Sequence, residues 1–234
     1  MRFFYLSAAL FLYAAPLHSQ STLSLYFSLQ MDGKPLELGP LLYHSATGDI
    51  FQVDVLRFYI TGVQLQRKDG TMFTEKDSYH LVDAEDSSTQ HLVLKNIPAG
   101  RYTSLSFQIG TDSLTNVAGA MGGDLDPTKG MYWAWNTGYI NFKIEGKSDA
   151  CKTLHHAFEF HIGGYMPLCP TVRRIMLPLK KIKVSPKKVT MLQVNTDLAA
   201  FFNQIHLDKT NQVMIPSQQA ALLADFFKNV FSVQ

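Results

Sequence analysis

Both tryptophans of the chain lie in one block, Met131-Tyr132-Trp133-Ala134-Trp135-Asn136-Thr137-Gly138-Tyr139. In an extended strand the i, i+2 spacing puts the two indoles on one face. Taken on chemistry alone, such a pair is first a packing element whose ring N–H groups find partners. The histidines His44, His80, His91, His155, His156, His161 and His206 are scattered, and no H-E-x-x-H or comparably close zinc pattern appears. His161 stands between Phe160 and Ile162 just before Gly163-Gly164. Strand alternation points it away from the face that carries Phe158 and Phe160. His156 lies five positions earlier, so on one regular strand it faces the other side, and the two would chelate together only across a bulge. Asp112, Asp124 and Asp126 offer oxygen ligands to a hard cation such as calcium. Asp124-Leu125-Asp126-Pro127 is also ordinary turn chemistry, and that reading is preferred. No G-x-S-x-G elbow, phosphate loop or dinucleotide fingerprint occurs, so the residues give no reason to expect an enzyme.

The whole chain has 234 residues, is 46% hydrophobic and 17% charged, and carries a formal charge of +2. That length supports a full core. The balance of charge gives no footing for nucleic-acid binding through phosphate neutralisation. Met1-Arg2 is followed by an apolar run from Phe3 to Leu17, interrupted by Ser7 and Pro16. This reads as a signal peptide over residues 1–20, cleaved near Ser19 to Ser21. The alternative, an N-terminal anchor helix, is short against the roughly 20 apolar residues that a span needs. No later stretch reaches spanning length and no cysteine precedes Cys151, so a soluble periplasmic or secreted protein is expected. Export makes Cys151 and Cys169 an expected disulfide, favoured over a thiolate metal pair because C-x2-C spacing is absent.

Strands dominate the pattern. Leu23, Leu25, Phe27 and Leu29 share a face. Phe51, Val53 and Val55 alternate, and the apolar phase then shifts to Leu56, Phe58 and Ile60, which predicts a bulge or a strand buried on both sides. Short strands are expected at 79–82 and 92–94, and longer ones at 101–109, 138–144, 156–162 and 172–184. Segment 189–194 is the expected hairpin partner of 172–184 across Ser185-Pro186-Lys187. The lysines around that turn read as a solvated tip or a protected edge. Residues 110–130 read as a long glycine-rich loop. Ser217 is an N-cap for a terminal helix in which Leu222, Leu223, Phe226, Phe227, Val230 and Phe231 recur at helical spacing, and a shorter turn is expected at 198–203. The expected architecture is all-β. Residues 21–234 form a single antiparallel β-sandwich of Greek-key or Ig-like type with a C-terminal amphipathic helix.

Several blocks, taken in order, resemble the MbnP-like family. They are Leu56-Arg57-Phe58-Tyr59-Ile60, Gly110-Thr111-Asp112-Ser113, Gly123-Asp124-Leu125-Asp126-Pro127, the stretch from Gly130 through the tryptophan block to Ile140, and Phe160-His161-Ile162-Gly163-Gly164. The terminal helix is similar as well, and the likeness spans the mature chain. The resemblance implies an exported copper-binding β-sandwich served by a dihaem, MauG-like partner, MbnH. That partner oxidises a tryptophan to kynurenine, which then helps hold copper, as in the related MopE. Imidazole suits copper, and kynurenine adds an amine and a carbonyl that indole lacks. Carried over by position, His161 matches the family histidine, and Trp133 or Trp135 the oxidised residue. The chain departs from the family pattern at Asn116-Val117, where a histidine often follows the asparagine. His44, His155 or His156 would have to fold into its place. The alternative is a binding or interaction module that keeps the scaffold and has lost the metal.

Overall fold

The computed structural model describes residues 21–135 and 138–233; the expected signal peptide lies outside them. In chain order the strands are β1 (Thr22–Met31), β2 (Lys34–Pro35), β3 (Tyr43–His44), β4 (Ile50–Arg67), β5 (Met72–Thr74), β6 (Tyr79–Asp83), β7 (His91–Leu94) and β8 (Gly100–Ile109). Helix α1 (Ser113–Ala118) follows, then β9 (Tyr132–Trp133), β10 (Gly138–Lys147), β11 (Ala157–Gly163), β12 (Arg173–Val184) and β13 (Val189–Asp197). The chain closes with α2 (Ala199–Phe202), β14 (Gln212–Val213), α3 (Gln218–Phe227) and β15 (Phe231–Val233).

The strands form two sheets around one core. The smaller has the order β15-β13-β1-β2, with β7 also on β1. The larger runs β12-β8-β4-β10-β11-β14, with β3, β5 and β6 added to β4 and β9 to β10. Both are mixed, because β1 pairs β13 in parallel and β11 pairs β14 in parallel. The single antiparallel Greek-key sandwich is therefore corrected to a mostly-β fold of two curled, mixed sheets with a short C-terminal helix. Alternation fixes which face of a strand is buried, and Leu23, Leu25 and Phe27 are indeed fully buried. It carries no information on the direction of the neighbouring strand.

Strand β4 is the spine. Its first half pairs β10 and its second half pairs β8, and β6 pairs its middle. The predicted phase change is a bulge: Glu145 faces Val55 while Gly146 faces Val53, which leaves Asp54 as the extra residue. The bulge needs the glycine opposite, since a Cβ at Gly146 would strike the Gln52 carbonyl and the Phe158 ring. Phe58, Phe142, Phe227 and Phe231 then pack ring against ring through the core, Phe58 edge-on to Phe227 and Phe231, and Phe142 stacked 4.2 Å from a nearly parallel Phe227.

Three further expectations change. Strands β12 and β13 are consecutive but do not pair as a hairpin; β12 pairs β8 and β13 pairs β1, so the turn between them crosses from one sheet to the other. Residues 110–130 are not a structureless loop, since α1 and two 3-10 turns order them, with Asp112 capping α1 through Thr115 N–H. The terminal helix ends at Phe227, and Phe231 belongs to a strand rather than to the helical stripe. Its predicted cap holds, with the Ser217 hydroxyl accepting from Ala220 N–H at 3.1 Å.

The expected Cys151–Cys169 disulfide does not form in this structure, where both residues are free thiols. Cys151 is buried beyond the β10–β11 hairpin, with its thiol 3.6 Å from the Leu207 carbonyl. Cys169 lies past the other end of β11, in the turn that follows Gly164. The length of β11, roughly 20 Å at strand rise, separates the two, well beyond the Cα distance of about 7 Å that a disulfide spans.

Candidate functional site: the tryptophan–histidine groove

The groove is built where β9 folds back on β10. Trp133 pairs Gly138, and Met131 carbonyl accepts from Ile140 N–H at 2.9 Å. This anchors the tryptophan block to a small second core of Tyr59, Leu81, Leu125, Met131, Tyr139 and Ile140. The strand ends at Trp133, and Trp135 sits in the turn that follows. The two rings still meet, 5.8 Å between centroids and tilted by 47°. Their environments differ sharply: Trp133 is 6% exposed and Trp135 66%.

Gly163 is what lets Trp133 lie so deep. A Cβ there would come 2.5 Å from the Tyr139 carbonyl and 2.7 Å from the Trp133 ring. The glycine after Phe160-His161-Ile162 thus has a packing reason for its identity: the outer edge of the indole lies against bare backbone. Asn116 supports the block from behind. Its side-chain oxygen accepts from Tyr139 N–H at 2.8 Å, and its amide donates to the Thr111 carbonyl and hydroxyl and to the Asp112 carbonyl.

His161 reaches the groove from β11. As expected, it lies opposite Phe158, Phe160 and Ile162, all of which are fully buried in the main core. Together with Trp133, Trp135, Lys143, Met214 and Ile215 it lines an open groove of about 360 Å³. A smaller cleft of about 180 Å³, lined by Asn116, Tyr139, Tyr165 and Met166, opens on the other side of Trp133. His161 Nε2 lies 2.6 Å from Glu145 Oε1, and Lys143 Nζ lies 3.0 Å from the same oxygen. The bond with His161, aided by Lys143 and opposed by burial, holds the Glu145 carboxyl down to about 2. Glu145 therefore stays ionised and engages one ring nitrogen of His161, Nε2, so that Nδ1 is the ring nitrogen left for any other contact.

Of the residues singled out in the sequence, Trp133, Trp135 and His161 come together. His156 does not: it sits in the turn before β11, its Nδ1 3.0 Å from the Cys151 carbonyl, at the far end of the strand from His161's groove. His155 occupies the same turn. His44 lies on β3 and lines a separate surface groove. Val117 is 71% exposed on α1, directly after the buried Asn116. Asp124 is engaged by Lys129 and by Leu81 N–H, and Asp126 caps the following turn, so the aspartates serve the loop as turn chemistry. Sequence reading missed Glu145, Lys143 and Met214. Lys143 and His161 are register partners, but only the β10–β11 pairing reveals it, and Met214 arrives just after β14.

Among the described residues, no three His, Cys, Asp or Glu side chains converge as a metal-holding group. The groove offers one imidazole and one thioether, donors suited to copper in type but too few for a three-donor site. As encoded, these residues do not fit a complete copper centre.

Fold and groove together define a two-sheet β protein that displays an aromatic–imidazole surface site on its larger sheet. The chain belongs to the MbnP family, whose model, described as MbnP, matches residues 20–215. The solved structure of MbnP from Methylosinus trichosporium is similar, with a TM-score of 0.61, 17% sequence identity and 83% of each chain covered. At that identity the likeness is one of fold. No curated protein matches the chain.

Proposed function

We propose that this MbnP-family chain is an exported copper-binding protein, not an enzyme, and that the Trp133–Trp135–His161 groove is its working site. In this reading a dihaem MauG/MbnH-like partner oxidises one of the two tryptophans to kynurenine. The observation that supports it is the convergence of His161, both indoles and Met214 on one open groove. The encoded donors fall short of a metal centre by themselves, so copper binding here depends on the donor that oxidation of an indole supplies. The residues of the chain contribute position. Gly163 seats Trp133, Asn116 holds the strand behind it, and Glu145 fixes the ring of His161.

The test is made on protein purified from its native host, with and without His161→Ala. Stoichiometric copper in the wild type and its loss in the variant are expected. Peptide mass analysis over Met131 to Lys143 is expected to show kynurenine at Trp133 or Trp135. Protein without copper and with two unmodified tryptophans, from a host that expresses the dihaem partner, overturns the reading.

A second reading has its own support. Val117 is exposed where the family pattern often has a histidine, and the described residues hold no three-donor cluster. The chain would then be a scaffold that binds a partner through the same aromatic groove without metal. The same two measurements separate the readings.

A further inference from the structure

One end of the molecule collects positive charge that the protein leaves unneutralised. From Phe160 to Thr196 the sequence contains no Asp or Glu. Within that stretch, the end of β12 and the crossover to β13 carry Lys183, Lys187 and Lys188, all exposed. Lys183 is the register partner of Arg101 on β8, so two cations face one another across a strand pair. Like charges so placed are destabilising unless something else neutralises them. Arg67 lies over the neighbouring Gly100 and donates to the Pro98 and Ala99 carbonyls. Lys95 stands at the start of the same loop, whose Ile97 N–H donates to the Ser21 carbonyl. None of these cations is in an ion pair among the described residues. Asp69, in the adjoining turn beside Lys68, is held by Thr71 and lowered in part by Arg67.

A further observation says what the charge faces. Val189, at the start of β13, is 62% exposed, and Pro98, Ala99 and Pro186 in the turns that adjoin these strands are exposed as well, so apolar surface lies at the same end as the cations. Lysines beside apolar surface suit the boundary of a bilayer, where the stems lie along acyl chains and the ammonium groups meet headgroups.

We propose that the end formed by Lys95, Arg101, Lys183, Lys187, Lys188 and Val189 docks on an anionic phospholipid surface. The tryptophan groove plays no part in this, and the proposal stands whether or not copper binds there. Attraction to anionic headgroups falls off within a Debye length, so the contact is salt-sensitive.

The experiment is flotation of the protein, purified from an exporting host, with phosphatidylglycerol–phosphatidylcholine vesicles and with pure phosphatidylcholine vesicles. Binding to the anionic vesicles only, weakened by salt, is expected. Each lysine at such a surface changes partitioning about fivefold, so Lys183→Gln, Lys187→Gln and Lys188→Gln combined lower it about a hundredfold. Arg101→Gln alone lowers it about fivefold. Neutralising Lys34, Lys152 and Lys209 together is the control for net charge and leaves binding unchanged. Melting curves confirm that each variant is folded. Equal binding to neutral vesicles, no binding to anionic ones, or equal loss in the control overturns the proposal. Binding to polyglutamate without binding to vesicles assigns the surface to an acidic protein and overturns it too.

Discussion

His161 and Glu145 face each other from adjacent strands, Nε2 to Oε1 at 2.6 Å, with Lys143 on the same carboxylate. The carboxyl sits near 2 instead of 4.5, first because of the bond with His161. A group depressed in the folded state stabilises the fold above its unfolded value, and that contribution disappears as pH falls through the folded value. The pair therefore contributes fully above about pH 4.5 and is lost progressively toward pH 2. Allowing for partial solvent screening, the contribution is about 1 to 2 kcal/mol. Urea titrations of wild type and Glu145→Gln are expected to differ by that amount at pH 7 and to converge only as pH falls through about 2. A constant difference across that range would separate the carboxylate from the effect.

Gly163→Ala tests the seat of Trp133. The added methyl meets the Tyr139 carbonyl and the indole at distances that no side-chain movement on one partner alone relieves. Overpacking of this kind costs about 1 to 3 kcal/mol. The expected signature is a lowered melting temperature together with a red-shifted tryptophan emission, as the buried ring is pushed toward water. A drop in stability with unchanged emission would place the strain at the backbone and not at the indole.

Asn116→Ala tests the support behind the block. It leaves Tyr139 N–H and the Thr111 carbonyl without the partner they have in the buried site. Unsatisfied buried groups of this kind cost about 2 to 4 kcal/mol for the pair. Chemical denaturation is the direct measure, and hydrogen exchange at Tyr139 should accelerate with it. A change under about 0.5 kcal/mol would mean that water replaces the amide.

The thiols give a separate test. Burial raises the Cys151 thiol to about 11, with Asp49 and Asp208 adding to it. Its thiolate is scarce near neutrality, and it is fully buried, whereas Cys169 is partly open. Under native, non-reducing conditions an alkylating reagent is expected to modify Cys169 and spare Cys151 until the protein unfolds. A mass two hydrogens below the dithiol form would restore the disulfide.

The faces of the strands were legible in the sequence because alternation is local. Leu23 to Leu29, Phe58, Phe107, Phe142 and Phe160 all went where period two sends them. The bulge at Asp54 was legible for the same reason, since a phase slip shows within a few residues. Strand partners were not. The parallel β1–β13 pair and the separation of β12 from β13 depend on how the long chain between closes, which no short window contains. The site divides the same way. Trp133, Trp135 and His161 announced themselves by type and spacing. Glu145 and Met214 are ordinary residues made relevant by pairings with β11. The strand between the cysteines was legible, but the paths of the turns at its two ends were not, and here they leave Cys151 and Cys169 past opposite ends of β11.

Val117 is where the copper reading is most directly exposed to experiment. It is solvent-facing on α1 and follows Asn116, whose side chain lines the cleft behind Trp133. A histidine there displaces no core contact, so Val117→His is expected to change stability by less than about 0.5 kcal/mol. Asn116 lies on the other side of Trp133 from the His161 groove, so a second imidazole at 117 joins the copper site only if that site reaches around the ring, and joining should then raise affinity by at least about tenfold, the scale on which partners of a metal ligand act. Competition titration with a copper chelator on wild type, Val117→His and Val117→His/His161→Ala reads this out. The gain is expected in the single variant and its loss in the double, because the added ring acts only with His161. A gain that survives removal of His161 would move the metal away from the groove, and no gain in either variant would confine any copper site to the His161 side of Trp133.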